Sequence, residues 1–125
     1  MTVDKIIERV DKVKPNGFPH DVKVDWIKEL IAKIKEEVVE THESYEEGDD
    51  LYVRYVIDKD EDITGSTEID LPDSHMDVAE FYLYLKIDLA NADIDRYSNS
   101  LVLFNNAYLE YRRWYNRHHM PKGVR

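Results

Sequence analysis

The sequence predicts one mainly α-helical domain of four helices, spanning residues 1–125. Apolar residues recur at helical spacing in four segments, and proline, glycine or asparagine separates these segments from one another. The last segment carries an unbroken heptad pattern and predicts an unusually long C-terminal helix. A chain of this length can bury one modest core, so a second independent domain is not expected.

The first two helices follow from apolar residues spaced three and four apart. Thr2 is the expected N-cap of the first helix, which ends at Lys14 because the residue before a proline avoids the α region. The second helix is expected to begin at His20 or Asp21 and to fade near residues 41–43. The residues expected to face the core are Val3, Ile6, Ile7, Val10 and Val13 in the first helix, and Trp26, Ile27, Leu30, Ile31, Ile34 and Val38 in the second.

An acidic insertion over residues 45–72 separates the second and third helices. Residues 51–57 are rich in β-branched and aromatic side chains, which favours a strand. Residues 63–69 could return as a second strand, although Gly65 weakens it. We expect a β-hairpin here, with an irregular arm as the alternative, because an isolated two-stranded hairpin is only marginally stable.

The third and fourth helices form the second half of the domain. Asp73 or Ser74 is the expected cap of the third helix, whose inner face should consist of Val78, Phe81, Tyr82, Leu85 and Leu89. After a break at residues 91–93, the fourth helix should run from Asp93 to His119. Its inner seam alternates spacings of three and four and should pack within the domain; its members are Ile94, Tyr97, Leu101, Phe104, Tyr108, Tyr111 and Tyr115.

The charge is strongly polarised along the chain, whose formal net charge is −10. Residues 36–80 hold 17 acidic and 2 basic side chains, whereas residues 111–125 hold 5 basic side chains and no acidic one. The overall charge argues against general nucleic-acid binding. The polarity suits a protein that lies between two different neighbours; a solvated surface is the alternative.

No recognisable catalytic, cofactor or metal site is present in the sequence. The chain has no cysteine, which excludes disulfides, thiolate zinc sites and a cysteine nucleophile. Asp58, Asp60 and Asp62 resemble the start of a calcium loop, but the required glycine and glutamate are replaced by Ile63 and Ile69. Phosphate-loop and nucleophile-elbow motifs are also missing. No apolar run approaches the ~20 residues of a membrane span, and we expect synthesis in the cytoplasm.

The C-terminal end interleaves aromatic and basic residues over positions 111–119. Such a segment could stack on and neutralise nucleic acid, or it could dock on a protein, since Trp, Tyr and Arg dominate binding hot spots. We favour protein docking because the acidic remainder would repel DNA. With the basic tail at 118–125, the predicted docking residues are Arg112, Arg113, Trp114, Arg117, His118, His119, Met120, Lys122 and Arg125.

Several short motifs carry a resemblance to a known family. They are Arg9-Val10-Asp11 with Lys14-Pro15-Asn16, Thr41-His42-Glu43, Asp95-Arg96-Tyr97 with Asn99-Ser100, Phe104-Asn105-x-Ala107-Tyr108, and Tyr115-Asn116-Arg117-x-His119-Met120-Pro121-Lys122. With these motifs the chain resembles head–tail connectors, also called adaptor or head-completion proteins, of tailed phages and prophages of Gram-positive bacteria. The resemblance covers both ends of the chain and is weak from 46 to 70. Asn91-Ala92 stands where the family usually has Asn-Gly, and His118 where it often has threonine.

The resemblance implies a structural protein of the virion neck. Such connectors form a ring beneath the dodecameric portal, extend the DNA channel and offer a platform to the next neck protein. The implied partners are therefore the portal protein, the next neck protein and further copies of the chain, while DNA passes through without specific binding. The basic C-terminal part of the chain, residues 111–125, would dock on the portal. The alternatives are another neck or tail-completion protein, or a small helical regulator that binds nucleic acid.

Overall fold

The computed structural model describes residues 1–38, 63–69 and 71–118, except the side chain of His118, and these residues form a bundle of four α-helices. The helices are α1 (Val3–Val13), α2 (His20–Glu37), α3 (Asp77–Ala90) and α4 (Ile94–His118). The mainly helical, four-helix fold predicted from the sequence is confirmed. Helix α4 is about 38 Å long at 1.5 Å per residue and packs chiefly on α3, which also contacts α1 and α2.

The core consists largely of the apolar positions expected from helical spacing. Twelve fully buried side chains are its largest members: Tyr111, Tyr115, Ile6, Ile7, Ile27, Leu30, Ile34, Leu83, Ile87, Val3, Val10 and Val38. Three expected core residues are instead exposed, namely Val13 (71%), Leu89 (50%) and Ile94 (68%). Each lies within one turn of a helix terminus.

The start of α1 is held by residues 63–69. As predicted, the Thr2 hydroxyl caps α1 by accepting a hydrogen bond from the Lys5 N–H at 3.2 Å. The backbone N–H groups of Val3 and Asp4 donate to carbonyl oxygens of the 63–69 segment, at 3.0 and 2.8 Å. These bonds satisfy donors that a helix N-terminus otherwise leaves without intrahelical partners.

The second strand expected over residues 63–69 is not formed. This segment makes a turn and a single antiparallel bridge between Thr2 and Glu68, and its buried side chains Ile63 and Ile69 join the core. Bonding to the first residues of α1 replaces pairing within a hairpin. The rest of the expected arm, residues 45–62, lies outside the described residues.

Two helix boundaries differ from those predicted. A 3-10 helix at Asp73–His75 precedes α3, which begins at Asp77 without a side-chain cap, so the predicted capping by Asp73 or Ser74 is wrong. The 3-10 turn carries the chain to Met76, which is buried in the core with 4% exposure. Helix α2 ends at Glu37, a few residues earlier than expected.

The junction of α3 and α4 is a Schellman motif with alanine in the left-handed position. The N–H of Ala92 donates to the carbonyl of Leu89, and the N–H of Asp93 donates to the carbonyl of Asp88, both at 3.0 Å. Ala92 has a φ of 55°, a conformation that glycine adopts more readily. Asp93 then caps α4, since its carboxylate accepts from the Arg96 N–H at 3.2 Å.

Candidate docking surface

The C-terminal half of α4 is fixed to the bundle by buried aromatic rings. Tyr111 is 0% exposed and Tyr115 is 1% exposed, and their ring centroids lie 6.2 Å apart. The ring of His75, from the 3-10 helix, lies 6.0 Å from that of Tyr111 in an edge-to-face arrangement. The inner face of α4 is therefore held in place as far as Tyr115, and the predicted heptad seam is buried from Phe104 onward.

Trp114, one of the predicted docking residues, is a half-buried member of this aromatic cluster. Its ring is stacked on Tyr111 at 6.0 Å with an interplanar angle of 19°, and it lies 5.8 Å from His75. The 3-10 helix before α3 brings His75 to the tryptophan. Helical spacing within α4 could not predict that contact, because His75 lies in a different segment of the chain. Only part of Trp114 remains for contact with another molecule.

Three arginines point outward from the same end of α4. Arg112, Arg113 and Arg117 are all exposed. The guanidinium of Arg112 lies 5.9 Å from the centre of the Tyr108 ring, and that of Arg113 pairs with Glu110 at 2.9 Å. Within the described part of the chain, Arg117 makes no ion pair. The end of α4 thus presents a compact positive surface, which we call the basic end.

The remaining predicted docking residues lie outside the described side chains. The described part of α4 runs to His118, and the expected end at His119 lies outside the described residues. His119, Met120, Lys122 and Arg125 follow it in the sequence beyond the described residues. The structure therefore brings together four of the nine predicted residues.

A polar cluster beside the basic end joins α2 to α4. The ammonium of Lys33 pairs with Glu37 at 2.7 Å and lies 5.5 Å from the centre of the Tyr108 ring. The Tyr108 hydroxyl donates to the Glu37 carboxylate at 3.3 Å. Burial, reinforced by the negative charge of Glu37, raises the pKa of Tyr108. Sequence spacing within one helix could not reveal the contact with Tyr108.

The motif residues near the end of α1 make fold-defining polar contacts. Asp88 on α3 is 1% exposed; its carboxylate accepts from the Lys14 ammonium and from the Ser100 hydroxyl, each at 2.6 Å. This cluster links the end of α1 to α3 and α4. Lys14 and Ser100 both belong to the resembling motifs, and Asp88 is a partner that the sequence did not reveal.

A further polar cluster, also built from motif residues, fixes the loop between α1 and α2. Lys23 is 4% exposed, and its ammonium donates to both carboxylate oxygens of Asp11, at 2.8 and 2.9 Å. Asn16 accepts from the same ammonium at 3.2 Å and donates to Asp11 at 2.9 Å. Asp11 and Asn16 also come from the motifs. These motif residues therefore act in packing the helices.

Neither a metal centre nor a membrane span is found in the described residues. Within residues 1–38, 63–69 and 71–118, no group of three His, Asp or Glu side chains is placed to hold a metal ion. None of the helices in those ranges is long and apolar enough to cross a bilayer.

Protein-family models, curated proteins and solved structures gave no match to this chain.

Proposed function

We propose that this chain is a structural protein of the tailed-phage neck, which forms a ring beneath the portal, extends the DNA channel and joins head to tail. The observation that carries the proposal is the basic end of α4, where Arg112, Arg113 and Arg117 are exposed on a helix anchored from within by Tyr111 and Tyr115. A docking element already held in place loses little conformational entropy on binding. Exposed arginines beside a partly exposed tryptophan suit a protein partner.

The resembling motifs support a structural role. Asp11, Lys14, Asn16 and Ser100 all contribute to the two polar clusters that hold the helices and their loop together. Residues that define helix packing are what a building block needs, because its binding surfaces must keep a fixed geometry. These packing contacts add to the support that the basic end and the resemblance provide.

The charge polarity supports assembly in a ring. A cyclic ring of identical subunits has head-to-tail contacts, so each subunit needs two different lateral faces. The basic end would dock on the portal, and the acidic residues of 36–80 would face a neighbouring subunit, the channel or the next ring. Acidic groups along a channel would repel DNA phosphates and let DNA slide.

The direct test is co-purification with the portal protein of the phage that encodes this chain. We expect the triple variant Arg112→Glu, Arg113→Glu, Arg117→Glu to lose portal binding because all three exposed positive charges are reversed. Deletion of residues 117–125 should also abolish binding while the melting temperature stays unchanged.

A matched control reverses three cations away from the basic end. The triple variant Lys5→Glu, Lys12→Glu, Lys28→Glu carries the same change in net charge and should bind the portal normally. Portal binding retained by both the arginine variant and the deletion would contradict docking through the basic end.

Virions provide the second test. Antibody against this chain should label the head–tail junction of purified particles in electron micrographs. Intact virions that lack the protein by mass spectrometry would exclude a structural role. In that case a salt-dependent gel shift, lost in the arginine triple variant, would favour the nucleic-acid regulator.

A further inference from the structure

The outer face of α4 lacks charge over most of its length. From Tyr97 to Leu109 the chain has no charged residue, although 35% of the whole chain is charged. Three aliphatic side chains in this stretch are exposed, with Val102 at 58%, Leu103 at 45% and Leu109 at 47%. Depletion of charge around clustered apolar side chains is typical of the core of a protein interface.

Val102 and Leu109 belong to a continuous stripe on the side of α4 opposite the buried seam, and Leu103 lies beside it. The outer stripe consists of Asp95, Asn99, Val102, Asn106, Leu109 and Arg113, whose spacings alternate between four and three, and all six are exposed. Residues so spaced lie on one face of a helix and can pack along a second helix. Helix α4 therefore has a second heptad pattern, which faces solvent.

The two ends of the outer stripe carry opposite charge. Asp95 lies at the N-terminal end and Arg113 at the C-terminal end, about 27 Å apart at 1.5 Å per residue. A parallel second copy would place Asp95 against Asp95 and Arg113 against Arg113. An antiparallel copy places each Asp95 against the Arg113 of the other chain, at both ends of the pair.

We propose that the outer stripe binds a second copy of this chain in an antiparallel, two-fold symmetric pair. The symmetry axis passes near residue 104, the midpoint between Asp95 and Arg113. Around it, Val102 of one copy faces Asn106 of the second copy, and Asn99 faces Leu109. The contact is isologous, which means that the same surface serves on both chains.

A groove beside the stripe provides room for side chains of the second copy. It has a volume of about 420 Å³ and lies between the start of α3 and the middle of α4. Its lining includes Phe81, Leu103 and Ala107 together with Asn106 and the carboxylates Asp77 and Glu110. Asn106 belongs to both the stripe and the groove, so the groove adjoins the proposed contact.

The pair does not rest on the neck proposal, although Arg113 belongs to both the outer stripe and the basic end. A ring is built from head-to-tail contacts between different faces, whereas this contact is closed and involves two chains only. Pairing covers the aliphatic face of the free chain, so it needs no other phage protein. The inference therefore holds or fails on the purified chain alone.

The first test measures molecular mass against concentration by analytical ultracentrifugation. The wild-type chain should pass from monomer to twice the monomer mass as its concentration rises. Leu109→Glu should remain monomeric because it places a charge within the uncharged part of the stripe, opposite Asn99 of the second copy. Val13→Glu changes an aliphatic residue that is 71% exposed but lies off the stripe, and it should pair normally.

The second test establishes the orientation of the two chains. Asp95→Arg and Arg113→Asp should each raise the dissociation constant of the pair about tenfold, since each creates repulsion at both symmetric ends. The double variant should restore wild-type affinity. In a parallel pair a single swap leaves like charges opposed and affinity unchanged. Circular dichroism of each variant verifies that α4 remains helical.

Three results would overturn the inference. The first is a wild-type chain that stays monomeric at every concentration. The second is a pair that survives Leu109→Glu. The third is association, in pairs or in larger assemblies, whose dissociation constant does not change with the single charge swaps. If those assemblies are larger than pairs, the ring proposal is not contradicted.

Discussion

The ammonium of Lys14 lies 2.6 Å from the carboxylate of Asp88, which is almost completely buried between α1, α3 and α4. The second carboxylate oxygen accepts from Ser100, also at 2.6 Å. A buried charge is tolerated only when it is paired and hydrogen-bonded, and both conditions are met here. One carboxylate thus joins three helices.

Removing the charge of Lys14 should destabilise the fold. We expect Lys14→Met to lower the free energy of unfolding by about 3 kcal/mol, because Asp88 would keep a buried negative charge without its counter-ion. Chemical denaturation measures this change. Lys12→Met is the control; Lys12 is exposed and lies 3.7 Å from Glu8, and its loss should cost about 0.5 kcal/mol or less. Equal effects of the two changes would contradict the importance of the buried pair.

The left-handed alanine at the α3–α4 junction predicts a stabilising substitution. Ala92→Gly should raise the free energy of unfolding by about 0.5–1 kcal/mol, because glycine adopts a positive φ without the steric penalty of a Cβ atom. A rise in melting temperature is the expected readout. Ala90→Gly, in the last residue of α3, is the control and should lower it.

The inner seam of α4 predicts contrasting effects of two truncations. Phe104→Ala should lower the free energy of unfolding by about 3–5 kcal/mol, since the ring is only 4% exposed and lies against Tyr82 and Tyr108. Ile94→Ala should change it by about 0.5 kcal/mol or less, because Ile94 is 68% exposed. Thermal unfolding of both variants separates the buried part of the seam from its exposed first position. A Phe104→Ala variant as stable as the wild-type chain would contradict the burial of this ring against Tyr82 and Tyr108.

Alkaline pH should weaken the fold through Tyr82. Burial, together with the nearby Glu29 carboxylate, raises the pKa of Tyr82 from 10.0 to about 12. The folded chain therefore holds the phenol proton more tightly than the unfolded chain does. The resulting stabilisation is complete below pH 10 and is lost as the pH rises from 10 to about 12.

Denaturation at several pH values across this interval measures the loss. Tyr82→Phe should reduce the pH dependence there, because phenylalanine has no proton to lose. Tyr84 and Tyr108, whose pKa values burial also raises, should retain part of it. An identical slope in wild type and Tyr82→Phe would show that Tyr82 does not contribute.

Local patterns were sufficient to predict the helices. Thr2 was identified as a cap because its hydroxyl precedes an apolar periodic segment, and the structure confirms that role. The seam predicted from Ile94 to Tyr115 is buried from Phe104 to Tyr115, because a buried helical face repeats every three to four residues. Periodicity failed at Val13, Leu89 and Ile94, since it reports the direction of a side chain and not the length of the neighbouring helix.

The candidate docking surface was predicted only in part. Exposed arginines on the outer side of α4 follow from helical geometry, because Arg112 and Arg113 flank the buried Tyr111. The half-burial of Trp114 does not follow, since it depends on His75 from a distant 3-10 turn. Contacts between residues far apart in the chain cannot be predicted from the spacing of residues within one segment.

The sequence by itself determined the helical class, most of the core and the polarity of charge, because each is a property of composition or of spacing within one segment. Only the tertiary structure decided that Lys14 pairs with Asp88, that residues 63–69 close the start of α1, and that the outer stripe of α4 remains uncovered. These features depend on which segments meet in space. That meeting is decided by the packing of whole helices against one another, which no single segment encodes.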